Sequence, residues 1–174
     1  MSYVHHTILV VDSNPDDAHF TTLALQRVGV ISPVRTVCDA DQALSYLAEH
    51  GDLSDPEKPA PVLMLLELQL SGTSGSGISG LELLAWVRRQ PVLKRLPVIV
   101  LTSSRDAGDV NLAYDNGCNS YLVKPTSFNA LLVIMQSLVQ YWLSTNVTPE
   151  LCPAAAELAQ CESNPDAASP TPAL

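Results

Sequence analysis

The chain has 174 residues, 47% hydrophobic and 16% charged, which suits one domain with its own core and is too short for two ordinary ones. A formal charge of −9 argues against unspecific nucleic-acid binding, which needs a basic surface to displace counterions. No apolar run approaches the ~20 residues of a membrane span, and Met1 to His6 lack the basic and apolar regions of a signal peptide, so a cytoplasmic protein without a membrane partner is expected.

Short apolar runs alternate with longer amphipathic stretches. Thr7-Ile8-Leu9-Val10-Val11-Asp12 is a buried strand, followed at once by a helix start. There Asn14 is the N-cap, Pro15 suits the first helical position, and Asp16 and Asp17 favour the positive helix end. Phe20, Leu23, Ala24, Leu25 and Val28 keep helical spacing, and Gly29 ends the element. Residues 34–37 are a short strand, and 39–50 a helix with Ala43, Leu44 and Leu47 inward. Val62-Leu63-Met64-Leu65-Leu66 is the third strand, and 81–90 a helix whose Leu83, Leu84 and Val87 face the core. Pro97-Val98-Ile99-Val100-Leu101 is the fourth strand, 106–116 the fourth helix, 120–123 the fifth strand, and 127–143 a last, unusually apolar helix.

Continuous apolar strands joined by helices predict a parallel sheet covered on both faces, an open doubly wound α/β sandwich of five βα units. Sites in such sheets lie at the carboxyl ends of the strands, beside the first one. Asp12, Glu67, Thr102 and Lys124 each end a strand, so two acids, a hydroxyl and a lysine are expected to converge there. Residues 146–174 hold five prolines, four acids and no Lys or Arg, which predicts a disordered tail on a domain of residues 1–145. Cys38, Cys118, Cys152 and Cys161 form no CxxC pair, and none of the histidines has metal-binding helical spacing, so neither a disulfide framework nor a zinc site is expected.

Over residues 7–143 these motifs, in this order, resemble the receiver domains (CheY-like) of two-component response regulators. Ile8 to Asp12 with Ser13-Asn14-Pro15-Asp16-Asp17 looks like the family's first strand and acidic loop, and Leu65-Leu66-Glu67-Leu68-Gln69-Leu70 like its acceptor strand. Thr102 stands for its hydroxyl residue, and Ser120-Tyr121-Leu122-Val123-Lys124-Pro125 supplies its switch aromatic, lysine and proline. Gln90-Pro91-Val92-Leu93-Lys94-Arg95-Leu96-Pro97, the run from Ala113 to Tyr121, and Tyr141-Trp142-Leu143 are similar to small single-domain regulators paired with phytochrome-type histidine kinases.

The resemblance implies a flavodoxin-like strand order of 2-1-3-4-5 and a non-enzymatic phosphorelay module without an output domain. It also implies a histidine kinase partner of the phytochrome type, and a homodimer through the last strand and helix with Leu138, Tyr141 and Trp142 at the interface. In the family an aspartate attacks a phosphohistidine, with Mg²⁺ offsetting the gathered charge. The ion's ligands there are an acidic-loop carboxylate, the acceptor, and the backbone carbonyl two residues on. Here those positions are Ser13, Glu67 and Gln69, with Asp12 as the acid that acts through water.

Ser13 is a neutral ligand and Glu67 is longer than an aspartate by one methylene, about 1.5 Å of reach. No cofactor is therefore expected beyond Mg²⁺ held weakly at Asp12 and Glu67. The Glu67 carboxylate sits near the phosphoryl position, within reach of Lys124 and Thr102. Two readings stay open: partial mimicry of a phosphorylated aspartate, answered by Thr102 and Tyr121, or a lost site with Glu67 paired to Lys124. A working receiver that uses Glu67, Asp16 or Asp17 as acceptor is the alternative.

Residues 71–80 read as an insertion of about five residues relative to the family. Gly75-Ser76-Gly77-Ile78-Ser79-Gly80 formally matches GxGxxG, but a dinucleotide fingerprint needs its first glycine directly after the strand and an acid closing the next one. A flexible loop crowding the site is expected in preference to a nucleotide or FMN binder.

Overall fold

The computed structural model describes residues 7–50, 60–70, 77–149 and 151. Five parallel strands, β1 (Ile8–Val11), β2 (Val34–Val37), β3 (Leu63–Leu66), β4 (Val98–Thr102) and β5 (Ser120–Val123), form one sheet in the order β2-β1-β3-β4-β5. Helices α1 (Pro15–Arg27), α2 (Ala40–His50), α3 (Gly80–Arg89), α4 (Ala107–Asp115) and α5 (Phe128–Val139) alternate with them. This is the expected doubly wound α/β architecture and strand order.

The uninterrupted apolar runs of β1, β3 and β4 are buried along their whole length because both faces are covered. Period two divides their side chains between two cores. Leu9, Val11, Met64, Leu66, Val98 and Val100 meet Ala43, Leu47, Leu83, Leu84 and Val87 on the α2–α3 side. Ile8, Val10, Leu63, Leu65, Ile99 and Leu101 meet Ala24, Leu25, Leu131, Met135 and Leu138 on the α1–α5 side. Each Val, Leu, Ile or Met side chain fully buried in this way stabilises the fold by roughly 1.5–3 kcal/mol.

The first helix starts as its sequence predicts, with the Asn14 side chain accepting from the Asp16 and Asp17 amides and Pro15 opening the first turn. At α3 the Ser79 side chain accepts from the Glu82 amide while Glu82 reaches back to the Ser79 amide, a reciprocal capping box. Gly80 packs so closely on the site strand that a Cβ there would collide with the Glu67 carbonyl oxygen and lie 2.7 Å from Leu68 Cα. That contact accounts for the last glycine of the GxGxxG match. Residues 71–76 of the expected insertion lie outside the described residues.

Three details differ from the sequence expectation. The last helix is α-helical only to Val139 and continues as a π-helical turn, Gln140–Thr145, closed by the Asn146 amide donating to the Tyr141 carbonyl at 2.7 Å. Phe20 turns out half-exposed, its ring 6.0 Å from that of Phe128. Leu151, within the expected tail, is half-buried against the α2–α3 core; the remainder of the tail beyond it lies outside the described residues.

Candidate functional site

The sheet register brings the strand ends level. Val11 pairs with Leu66, Leu66 with Val100, and Thr102 with Val123, so Asp12, Glu67, Thr102 and Lys124 emerge side by side at the carboxyl edge. Backbone bonds extend the ladder one step: the Glu67 amide donates to Val11 at 2.9 Å and the Lys124 amide to Thr102 at 2.7 Å.

Lys124 is the centre of the cluster. Its Nζ lies 2.7 Å from Asp12 Oδ2, 2.8 Å from Glu67 Oε2 and 2.8 Å from Asp17 Oδ2. An ammonium has three protons to donate, and three carboxylates take them. Lys124, Asp12 and Glu67 are largely shielded from solvent, while Asp17 is about one-third exposed. Burial alone would lower the Lys124 pKa, but its bonds to Asp12, Asp17 and Glu67 outweigh it and hold the pKa above the ordinary lysine value. Burial pushes the Asp12 carboxyl up, against the lowering influence of Lys124 and the Asn14 amide. One ammonium facing three carboxylates leaves the cluster net negative.

The second oxygen of each buried acid is also engaged. The Asn14 amide donates to Asp12 Oδ1 at 3.0 Å, and the Gln69 amide donates to Glu67 Oε1 at 3.1 Å. Ser13 Oγ donates to the Gln69 carbonyl at 3.3 Å. These are the oxygens that the family resemblance assigns to a divalent ion. Such an ion wants several hard, preferably anionic oxygens in near-octahedral geometry. Here it would have to displace the Lys124 ammonium and meet a hydroxyl where a carboxylate is needed. The residues present fit a divalent cation poorly.

The other expected residues fall into two groups. Thr102, 1% exposed, does not use its hydroxyl as a donor to Glu67 in the bonds observed; it accepts from the Ser104 amide at 3.4 Å. Tyr121 donates its hydroxyl to the Ser104 carbonyl at 3.2 Å, so the two residues expected as a switch pair both bond Ser104. Asp16 is exposed, whereas Asp17 joins the cluster. Of the three interface candidates, Leu138 is 5% exposed and sits in the α1–α5 core, because its side of the helix faces the sheet. Trp142 leans on that same core, and Tyr141 is 54% exposed, in edge-to-face contact with the Trp142 ring.

Asp17 as a third partner of Lys124 was not foreseen, since its place in the first turn of α1 is fully explained by the helix dipole. Ser104 was missed too, because a loop serine carries no distinctive pattern. Beside Lys124 a cleft of about 310 Å³ is lined by Asp17, Phe20, Phe128 and Leu131 among others. It offers a phosphate little, since its lysine already faces three carboxylates.

Comparison with known proteins agrees with this architecture. The family model described as "Response regulator receiver domain" matches residues 8–136. The chain is 34% identical over 142 residues to FilR2, a probable methanogenesis regulatory protein of Methanothrix harundinacea, covering 82% of this chain and 86% of that one. It is 30% identical to response regulator Rcp1 of Synechocystis, over 82% of this chain and 92% of Rcp1. The crystal structure of the phosphorylated cyanobacterial phytochrome response regulator RcpA superposes with a TM-score of 0.72 at 33% identity, covering 84% of this chain and 99% of RcpA. The Mn(2+)-bound form of Rcp1 superposes with a TM-score of 0.70 at 30% identity, over 83% and 99%.

Proposed function

This chain belongs to the response regulator receiver domain family, and on that premise we propose that it is a non-enzymatic, phosphate-independent signalling module. The observation that carries this reading is the cluster at the acceptor position, where Lys124 pairs with Asp12, Asp17 and Glu67 and each donor oxygen the ion would need has a partner within the chain. Divalent ions bind weakly there. Glu67 is the acceptor-equivalent and holds the lysine without being phosphorylated; the Glu67–Lys124 pair supports this better than a direct Glu67–Thr102 contact would. The relatedness to RcpA and Rcp1 supports a histidine kinase partner of the phytochrome type.

The module acts as a homodimer through β5 and α5. Among the described residues, Val133 of α5 and Tyr141 of the turn that continues it are large apolar side chains left exposed. Exposed apolar surface of this sort often marks an interface.

The test of phosphate independence compares the wild type with a Ser13→Asp/Glu67→Asp double variant. Both are incubated with Mg²⁺ and a small phosphodonor, and intact mass is measured. An adduct is expected on the double variant alone, since only there do the metal ligand and the shorter nucleophile return together. An adduct on the wild type would overturn the reading and favour a working receiver that uses Glu67, Asp16 or Asp17.

A further inference from the structure

The cleft of about 310 Å³ beside Lys124 has one wall from α1 and another from α5. Asp17, Phe20 and Thr21 line it from α1, and Phe128 and Leu131 from α5. Side chains three and four apart share one face of a helix, so a carboxylate, a ring and a hydroxyl stand together on the α1 wall. Two of these groups have bonding capacity to spare. Thr21 is 2% exposed, yet its hydroxyl has no hydrogen-bond partner among the described residues. A helical threonine commonly returns its hydroxyl to the carbonyl one turn back. The adjacent Thr22 does so, donating to the Ala18 carbonyl at 2.9 Å, and Thr21 does not. Among the described residues every side-chain oxygen sealed from solvent has a partner, so the Thr21 hydroxyl opens onto the cleft that it lines. Asp17 gives Oδ2 to Lys124 at 2.8 Å, and its Oδ1 bonds no described residue. The rest of the lining is largely apolar, with the half-exposed Phe20 ring 6.0 Å from that of Phe128 and Leu131 buried behind them.

From this geometry we infer that the cleft is a binding site for a small organic ammonium with an apolar body, of the arylalkylamine class. The body lies against Phe20, Phe128 and Leu131, and the ammonium donates to Asp17 Oδ1 and Thr21 Oγ1. The sign of the ligand's charge follows from the lining, whose only charged side chains are Asp17 and Lys124. Lys124 has three protons and three carboxylates to take them, so an anion finds no free cation there. A cation finds an open carboxylate oxygen and two aromatic rings, whose faces attract positive charge. Apolar walls with a few placed polar groups are what small-molecule sites generally offer. The site stands apart from the phosphate question, because it uses the outer oxygen of Asp17 and not the acceptor position.

Nuclear magnetic resonance titration of the full chain with phenethylammonium tests the site, with phenylethanol and phenylpropionate as its neutral and anionic counterparts. Amide shifts should saturate at Asp17, Phe20, Thr21 and Phe128. The ammonium should bind about tenfold more tightly than the alcohol, the gain expected of a hydrogen bond to a charged group, and the propionate should bind weakest. Asp17→Asn should bring the ammonium down to the affinity of the alcohol. Thr21→Val keeps the shape and removes the hydroxyl, and should weaken the ammonium by about fivefold. Phe20→Ala should weaken it by about threefold, as befits a partly exposed ring. Thr22→Val, whose hydroxyl is already used within the helix, should bind like the wild type. Unchanged amide positions in β1 and β3 report that each variant is folded. No saturable shift would overturn the site, and so would equal affinities of the wild type for ammonium and alcohol. Thr21→Val and Phe20→Ala both binding like Thr22→Val would overturn it too, and tighter binding of the propionate would assign the cleft to an anion instead.

Discussion

A lysine surrounded by three carboxylates behaves differently from a surface ion pair. Exposed pairs contribute little, but removing one partner of a buried pair leaves its counterpart unpaired away from water. Lys124→Met should therefore cost about 3–5 kcal/mol, measured by urea denaturation, because Asp12 and Glu67 stay shielded without their cation. The sign with pH follows from the raised lysine pKa. A group whose folded pKa lies above its unfolded one contributes stability that is complete below the unfolded value and lost as pH climbs through the folded value. Lys124 thus contributes fully at neutral pH, and the loss starts as pH passes the ordinary lysine value of 10.5. Wild-type stability should fall above that pH by more than Lys124→Met loses over the same range. A parallel decline in both proteins would show that the cluster holds no such linkage. At this scale Asp12, Glu67, Thr102 and Lys124 were legible because a strand end in a parallel sheet is a site by geometry. Ser104 was not, and Asp17 was legible as an acid beside the site but not as a partner of Lys124, since these contacts depend on which way a loop and a first turn face.

Apart from the end of the last helix, the elements were legible to within a residue or two at their ends, since continuous apolar runs and helical spacing are set by burial. The α3 start could have been read more closely: Ser79 and Glu82 form the S-x-x-E pattern of a capping box in plain sight. Ser79→Ala and Asn14→Ala should each cost about 1 kcal/mol in thermal or urea unfolding. Asn14→Ala carries a second expectation, since it leaves the backbone bond from residue 14 to Asp12 in place and should not alter the phosphodonor result. The π-helical turn after Val139 was illegible, because shifting the hydrogen-bond register from four residues to five leaves the apolar composition of the segment unchanged. Arg88 shows another limit of pattern reading. It joins α3 to two connections far apart in sequence, donating to the Gly117 carbonyl at 2.7 Å, the Leu96 carbonyl at 2.8 Å and Asn119 Oδ1 at 2.9 Å. In the sequence it is one more basic residue near a helix end.

For the molecule as a whole, the apolar excess of the last helix divides into two parts with different uses. Leu131, Met135 and Leu138 are consumed by the sheet, and Trp142 leans on the same core. Val133 and Tyr141 remain outside, 64% and 54% exposed. The sequence shows how apolar the last helix is but could not apportion that surface between core and interface, because apportioning requires the helix's rotation against the sheet. Tyr141→Glu is therefore the suitable probe, since it charges the exposed ring while sparing the core. Light scattering should report a dimer for the wild type and a monomer for this variant. A variant that keeps the dimer's mass would place the contact elsewhere.

Because the lysine is covalently part of the chain, its local concentration at the carboxylates is fixed by the fold. A dissolved ion's occupancy rises and falls with its supply, and with every chelating metabolite that competes for it. The Lys124 ammonium has no such supply. On the phosphate-independent reading proposed above, a module built this way should keep the same setting in a magnesium-starved cell and a replete one, with its abundance and its partners as the variables through which it carries information.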